Sequence, residues 1–337
     1  MIVLFPTYAR RLPDGRWRAG VGGMVSRPLP EKSRRRTLAI AVLRRLLDLD
    51  GTQLESEVFR RRADAFLFQR LAGRRVAVSV GGRHAAVGQT DRSGHFHVEI
   101  DVDEPPPGGR TVECAAEVDA TDEHPVGGPA TGRVQCVDPA GASVISDIDD
   151  TVKITNVVDR RELLRNTLLR EFAAVPGMPE VFRSWQDAGT AFHYVSASPW
   201  QLAPCLCGFL ASAGLPAGSM HLKLFRLKDS TPLGRLPSRK RSKRRVIEQI
   251  MADFPGRRFL LVGDSGERDP EVYAAVARKR PAQVAGIAIR LVESRAPAWK
   301  VRDRLAALAR RLPAGGLTVF ETPAELAARH GLSNAFW

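Results

Sequence analysis

The sequence is poor in lysine. Only eight of its 51 basic residues are Lys, at positions 32, 153, 223, 228, 240, 243, 279 and 300. Arginine is the default cation here, so a lysine marks a position more sharply than usual. Cysteine is also scarce. Four in 337 residues make no disulfide framework, and Cys205-x-Cys207 has no second pair to complete a zinc site. No apolar run approaches the roughly 18 to 20 residues of a membrane span. The first residues, Met1-Ile-Val-Leu-Phe-Pro, lack the basic and apolar regions of a signal peptide. A soluble cytoplasmic protein is expected. Acids are in deficit, 37 against 51 bases, for a net charge of +14. That excess points to a polyanionic partner: nucleic acid, anionic lipid or a phosphorylated substrate. With 44% apolar residues, the chain has enough for about two cores.

The chain divides near Ala140-Gly141. Residues 1–140 read as a mixed module. Apolar residues recur at helical spacing from Glu31 to Asp48 (Leu38, Val42, Leu46) and from Gln53 to Leu71, with basic outer faces expected. The period then changes to two, at Val76, Val78, Val80 and at Phe96, Val98, Ile100, Val102. With Val112–Val118 and Gly132–Val137, these strands suggest a small β-sandwich. Residues 141–337 alternate strand-like runs with helical stretches. The runs are Ser143–Asp147, Ala191–Ser196, Met220–Phe225, Arg258–Asp264, Ala285–Val292 and Leu317–Phe320. This is the pattern of an α/β fold with a mostly parallel sheet. In such sheets the site lies beyond the carboxyl ends of the strands.

The first run ends in Asp147-Ile-Asp149-Asp150-Thr151. Acids and Thr there could cap a helix, bind a metal or catalyse. If strand geometry persists, Asp147 and Asp149 face the same side, and one could attack while the other handles a proton. The second run ends in Ser196-Ala-Ser-Pro199, an ordinary helix entry or a phosphate cradle. The fourth ends in Gly263-Asp264, with Asp269 five residues later. That is a capped turn or a Mg²⁺ site, since Mg²⁺ takes one or two carboxylates and leaves its other positions to water and phosphate. Lys243 opens a helical stretch and could neutralise a phosphate or simply face solvent.

Taken together, Asp-x-Asp-x-Thr, a strand-end Ser, a Lys and Gly-Asp-x-x-x-x-Asp on successive βα units resemble the haloacid-dehalogenase-like phosphatase superfamily. Ile145–Lys153, Tyr194–Leu202 and Leu261–Tyr273 look more narrowly like the catalytic domain of the actin-patch-type phosphatidate phosphatases. The resemblance implies a Rossmann-like parallel sheet and Mg²⁺-dependent phosphomonoester hydrolysis through an aspartyl-phosphate. It implies Asp147 as nucleophile and Asp149 as acid and base. It implies phosphate binding by Ser196, Lys243 and Thr151. Metal ligation would fall to Asp147, the backbone carbonyl of Asp149, Asp264 and Asp269. Asp150 has no implied role beyond a structural cap, and Lys153 none.

The stretches 151–191 and 196–243 are too short for a large cap domain, so an open site for a bulky substrate such as a lipid headgroup is expected. Residues 143–337 carry 30 basic and 19 acidic residues, and Arg226–Arg245 is the densest basic segment. It is expected to hold the protein to an anionic membrane surface. Nucleic-acid ends, a phosphoprotein, or a non-catalytic adaptor role are the alternatives.

Overall fold

The computed structural model describes residues 1–105, 110–118, 128–223, 239–294, 296–313 and 315–330. The side chains of Leu46, His84 and residues 239–241 are outside that description. The basic segment 226–245 therefore falls largely outside the described residues. The chain forms two compact units. One is Met1–Asp138 with Gln201–Pro204 and Gly218–Met220; the other holds Pro139–Trp200, Cys205–Ala217 and the described residues from His221 onward.

The first unit is β-rich, as its period-two runs predict. Its strands are joined in one nine-stranded mixed sheet. Trp17–Pro28 is central, pairing antiparallel with Ile2–Phe5, Thr7–Arg11, Phe68–Arg70 and His95–Val102. Thr7–Arg11 and Ala130–Val137 run parallel. Thr111–Val118, Arg75–Val80 and His84–Gln89 follow in antiparallel order. Alternation decides which face goes inward. Phe96, Val98 and Ile100 are buried, while Glu99 and Asp101 point outward to Arg10, Arg16 and Arg18. A Cβ at Gly88 would stand 2.6 Å from Val98 Cγ2, so the far strand presses onto His95–Val102 and the sheet curls around its core.

Two local expectations change. The stretch 53–71 is not one helix. Ser56 is extended and caps a new helix, Glu57–Asp64, after the short Gly51–Glu55, and Phe68–Arg70 is a strand. The helix Arg34–Leu47 also turns the other way. Leu38 is 67% and Val42 50% exposed, whereas Leu47 is fully buried. The helix is apolar on more than one side, and periodicity alone selects the wrong stripe.

The strands of the six-stranded sheet are β1 (Ala140–Ser146), β2 (Ala191–Pro199), β3 (Ser219–Lys223), β4 (Gly256–Asp264), β5 (Val284–Arg290) and β6 (Leu317–Phe320). The helices of this stretch of chain are α1 (Arg160–Leu168), α2 (Met178–Asp187), α3 (Ala203–Ser212), α4 (Arg239–Asp253), α5 (Asp269–Lys279), α6 (Ala298–Ala309) and α7 (Pro323–His330). The sheet order is β3-β2-β1-β4-β5-β6, and β2, β1, β4, β5 and β6 run parallel. Val144, Ile145, Leu260, Leu261, Val262, Ile287 and Ile289 are buried in unbroken runs, as expected where both sheet faces are covered. At the amino end, the guanidinium of Arg257 donates to Ser143 Oγ at 2.8 Å and to the Ala140 carbonyl at 2.5 Å, tying β4 to β1.

The strand order reverses between β1 and β4. That reversal opens a crevice beyond their carboxyl ends, the usual ligand position in doubly wound sheets. The described residues of the two insertions are small. The first holds α1 and α2, and the second holds α3 and β3.

Candidate active site

Three carboxylates meet at this crevice. Asp147 is the first residue beyond β1, and its N–H still donates to the Val262 carbonyl of β4 at 2.9 Å. Asp264 is the last residue of β4, and Asp269 the first of α5. All three are buried, and one oxygen of each lies within 4.8 Å of the others. Gly263 makes room for this. A Cβ there would sit 2.8 Å from Asp269 Cβ and from Tyr273 Cε2. Lys243 of α4 places its Nζ 2.9 Å from Asp147 Oδ1 and 2.6 Å from Asp269 Oδ1. Asp264 Oδ1 accepts from the N–H groups of Gly266 at 2.6 Å and Glu267 at 3.0 Å.

One ammonium does not balance three carboxylates. Burial, opposed by Lys243 and reinforced by Asp269 and Asp264, raises the Asp147 pKa well above the usual carboxylate range. Burial and Asp269 do the same to Asp264. Burial opposes the charge on Lys243, yet Asp147 and Asp269 hold its pKa well above that of a free lysine. Asp147 Oδ2 and Asp264 Oδ2 are buried and accept no hydrogen bond among the described residues. Unsatisfied buried carboxylate oxygens are costly, and hard oxygen donors at this spacing suit a divalent cation such as Mg²⁺.

Asp149 is in a different setting. Lys153 Nζ lies 2.8 Å from its Oδ1, and Thr155 donates to the same oxygen at 2.7 Å. Ser198 and Ser196 donate to Oδ2 at 2.5 and 3.2 Å. Burial alone would raise this carboxyl, but Lys153 and the hydroxyls of Ser198 and Thr155 bring its pKa down to about 2. Lys153 is itself buried, donates to Thr155 Oγ1, and sits 4.7 Å from the centre of the Phe172 ring. The chain does not continue as a strand through Asp149. β1 stops at Ser146, and Asp150 adopts φ +53°. The same-side expectation rested on strand geometry persisting, which it does not, and the two carboxylates have separate partners, Lys243 for Asp147 and Lys153 for Asp149. Asp150 organises the turn, accepting from the N–H groups of Thr155, Asn156 and Val157 at 2.8, 2.7 and 2.6 Å. That is a structural role of the kind its sequence position suggests.

A cleft of about 290 Å³ adjoins the cluster. Ser196, Lys243 and Asp269 line it, together with His221, Lys223 and Arg268. Burial lowers the His221 pKa to about 4, so the ring is neutral at physiological pH. Thr151 is buried, and its hydroxyl has no hydrogen-bond partner among the described residues. Four residues near these carboxylates had no role in the sequence reading: Lys153, Thr155, Ser198 and Tyr273. The Tyr273 hydroxyl donates to the Val262 carbonyl at 3.1 Å and lies 3.3 Å from Asp269 Oδ2. The rarity of lysine in a chain that otherwise uses arginine was the available signal for Lys153.

Residues 142–291 match the family described as phosphatidate phosphatase APP1, catalytic domain. Phosphatidate phosphatase APP1 of Saccharomyces cerevisiae is 31% identical over 252 residues, covering 70% of this chain and 41% of the yeast protein. An uncharacterized protein of Schizosaccharomyces pombe is 34% identical over 184 residues, covering 53% of this chain and 30% of that protein. The chain thus spans less than half the length of these curated relatives. Among solved structures, D,D-heptose 1.7-bisphosphate phosphatase from B. bronchiseptica, complexed with magnesium and phosphate, is 19% identical with a TM-score of 0.34. It covers 56% of this chain and 97% of its own, a likeness too weak for any detail to be carried over. The stretch that carries every side chain of both carboxylate networks resembles, in sequence, the catalytic domain of phosphatidate phosphatase APP1.

Proposed function

We propose that this chain is a Mg²⁺-dependent phosphomonoesterase acting on a phosphorylated lipid, phosphatidate being the leading substrate. The observation that carries the reading is the buried trio Asp147, Asp264 and Asp269. It has two unsatisfied oxygens and one lysine, beside a cleft with basic groups on its wall. The carboxylates of Asp147 and Asp264 and the backbone carbonyl of Asp149 would hold the cation, with Asp269 on it or on its waters. Bound there, Mg²⁺ would offset the repulsion between a carboxylate and a phosphate dianion.

The chain's own residues supply the rest. An Asp147 oxygen attacks phosphorus while the bond to the leaving alkoxide breaks, and Asp149, having taken a proton from solvent once substrate is bound, gives it to the alkoxide oxygen. Asp149 then takes a proton from the water that attacks the aspartyl-phosphate, releasing phosphate and restoring Asp147. Lys243 and the Ser196 hydroxyl hold the phosphoryl oxygens as charge develops, with the Thr151 hydroxyl, in the turn after β1, assigned to the same task. A pKa of about 2 leaves Asp149 ionised at rest. Phosphate oxygens drawing the Ser196 and Ser198 hydroxyls away would remove two of its donors and raise its affinity for the proton it must deliver. The short insertions favour a substrate too large to enclose, and the charge favours an anionic surface.

The test is Mg²⁺-dependent phosphate release from phosphatidate in mixed micelles, lysophosphatidate, phosphorylated oligonucleotides, a phosphopeptide and an aryl phosphate. Turnover of phosphatidate above the others supports the reading. Preference for an oligonucleotide or phosphopeptide replaces the lipid, and no turnover on any of them favours an adaptor.

A further inference from the structure

We propose that the outer face of the helix Arg34–Leu47 docks this protein on an anionic lipid surface. The helix carries five arginines and no acid. Its buried edge ends at Leu47, which is fully buried, and Arg36 on that side is committed to Asp64 at 2.7 Å. At about 100° per residue, the opposite face has Leu38 and Val42 along its centre, with Arg34 and Arg45 at the two ends and Arg35 at the flank. Leu38 is 67% and Val42 50% exposed, two of the few large apolar side chains so placed. Arg34, Arg35 and Arg45 make no ion pair with another described residue. Exposed aliphatics framed by unpaired guanidiniums are the pattern of an interfacial helix. The apolar side chains enter the acyl boundary, and the arginines reach lipid phosphates along their aliphatic stems.

Charge selects the occupant. A second copy docking through the same face would bring arginine against arginine. An acidic protein would satisfy the charge but would need a groove shaped for Leu38 and Val42, whereas a bilayer receives both without one. Preferring lipid to an acidic protein also rests on the reading of the catalytic site as one for a phosphorylated lipid. The basic segment 226–245 plays no part in this inference, because the surface lies wholly within the first unit.

The experiment is flotation of the full chain with phosphatidylcholine vesicles, with and without phosphatidylserine. The wild type should bind only the anionic vesicles and lose binding as salt rises. Leu38→Ser with Val42→Ser should weaken binding about tenfold or more. Neutralising Arg34, Arg35 and Arg45 to Gln should weaken it about fivefold per charge. Val42→Phe adds apolar area at an exposed position and should tighten it. All these variants should keep the melting temperature and the hydrolysis of a soluble aryl phosphate.

Unchanged binding in either loss variant overturns the proposal, as does equal binding to neutral vesicles. A dimer that Leu38→Ser with Val42→Ser dissolves would assign the face to a second copy. A wild type that ignores both vesicle types would leave it to a protein partner. Flotation needs no turnover, so an Asp147→Asn chain should still float. Failure to hydrolyse phosphatidate would leave the flotation result standing, and failure to float would leave soluble turnover untouched.

Discussion

Asp147 and Asp149 are two residues apart, yet their surroundings push them in opposite directions. Around Asp147, three buried carboxylates share one lysine, and both Asp147 and Asp264 are pushed toward the protonated form. Around Asp149, one carboxylate has a lysine and three hydroxyls to itself and is held ionised. The first network is short of positive charge and the second is complete. Neighbouring titratable groups driven apart in this way mark a division of chemical labour. The incomplete network is where an external cation belongs, and the complete one is where a proton can be managed by changing hydrogen-bond donors.

The most severe break of this contrast is Asp147→Asn. Phosphate release should fall about 10⁴-fold or more, because the nucleophile is lost. The fold should persist, since the change removes a poorly compensated buried charge. Retained turnover in the purified variant would refute the assigned nucleophile.

The next tests the missing cation. In thermal melts, Mg²⁺ at roughly a hundred times Kd should stabilise the wild type by about 2 to 3 kcal/mol. Asp264→Asn should abolish most of that shift. An equal shift in both proteins would place the cation elsewhere.

The third attacks the complete network. Lys153→Met leaves Asp149 with its hydroxyls but no countercharge, at a site where the lysine side chain is 2% and the Asp149 side chain 13% exposed. Denaturant unfolding should show a loss of about 3 kcal/mol. A loss indistinguishable from zero would mean that Asp149 is solvated enough not to need its partner.

The mildest effect is the pH dependence of the cation-free protein. Asp149 titrates lower folded than unfolded, so its stabilisation is present above its unfolded value of about 3.9 and is lost as pH falls toward 2. Asp147 and Asp264 titrate higher when folded. Their native state binds more protons, so stability falls as pH rises above about 4. Mg²⁺ should reverse that second decline, with its thermal shift largest at neutral pH and fading toward pH 4. A shift independent of pH would uncouple the cation from these carboxylates.

Much of the second unit was legible because its signals are local. Unbroken apolar runs such as Phe259–Val262 are strands covered on both faces, and acids at their carboxyl ends lie where the sheet opens. Lys243 was legible partly by rarity. The Asp149 surroundings were not, because Ser198, Thr155 and Lys153 reach it only after the chain turns sharply at Asp150. In the first unit, the alternation at Phe96, Val98 and Ile100 gave the inward face correctly, since a strand has only two faces. The helix Arg34–Leu47 had more than one candidate stripe, and packing against the rest of its unit, not periodicity, chose which one to bury.

The sequence alone determined the alternation of strands and helices, the acids at the strand ends, and the basic excess. Those follow from residue spacing, which the chain carries with it. Tertiary structure decided that three of the acids share one lysine while the fourth has a lysine to itself, and that Leu38 and Val42 face outward. Charge compensation and burial depend on which distant segments meet, and only folding brings them together.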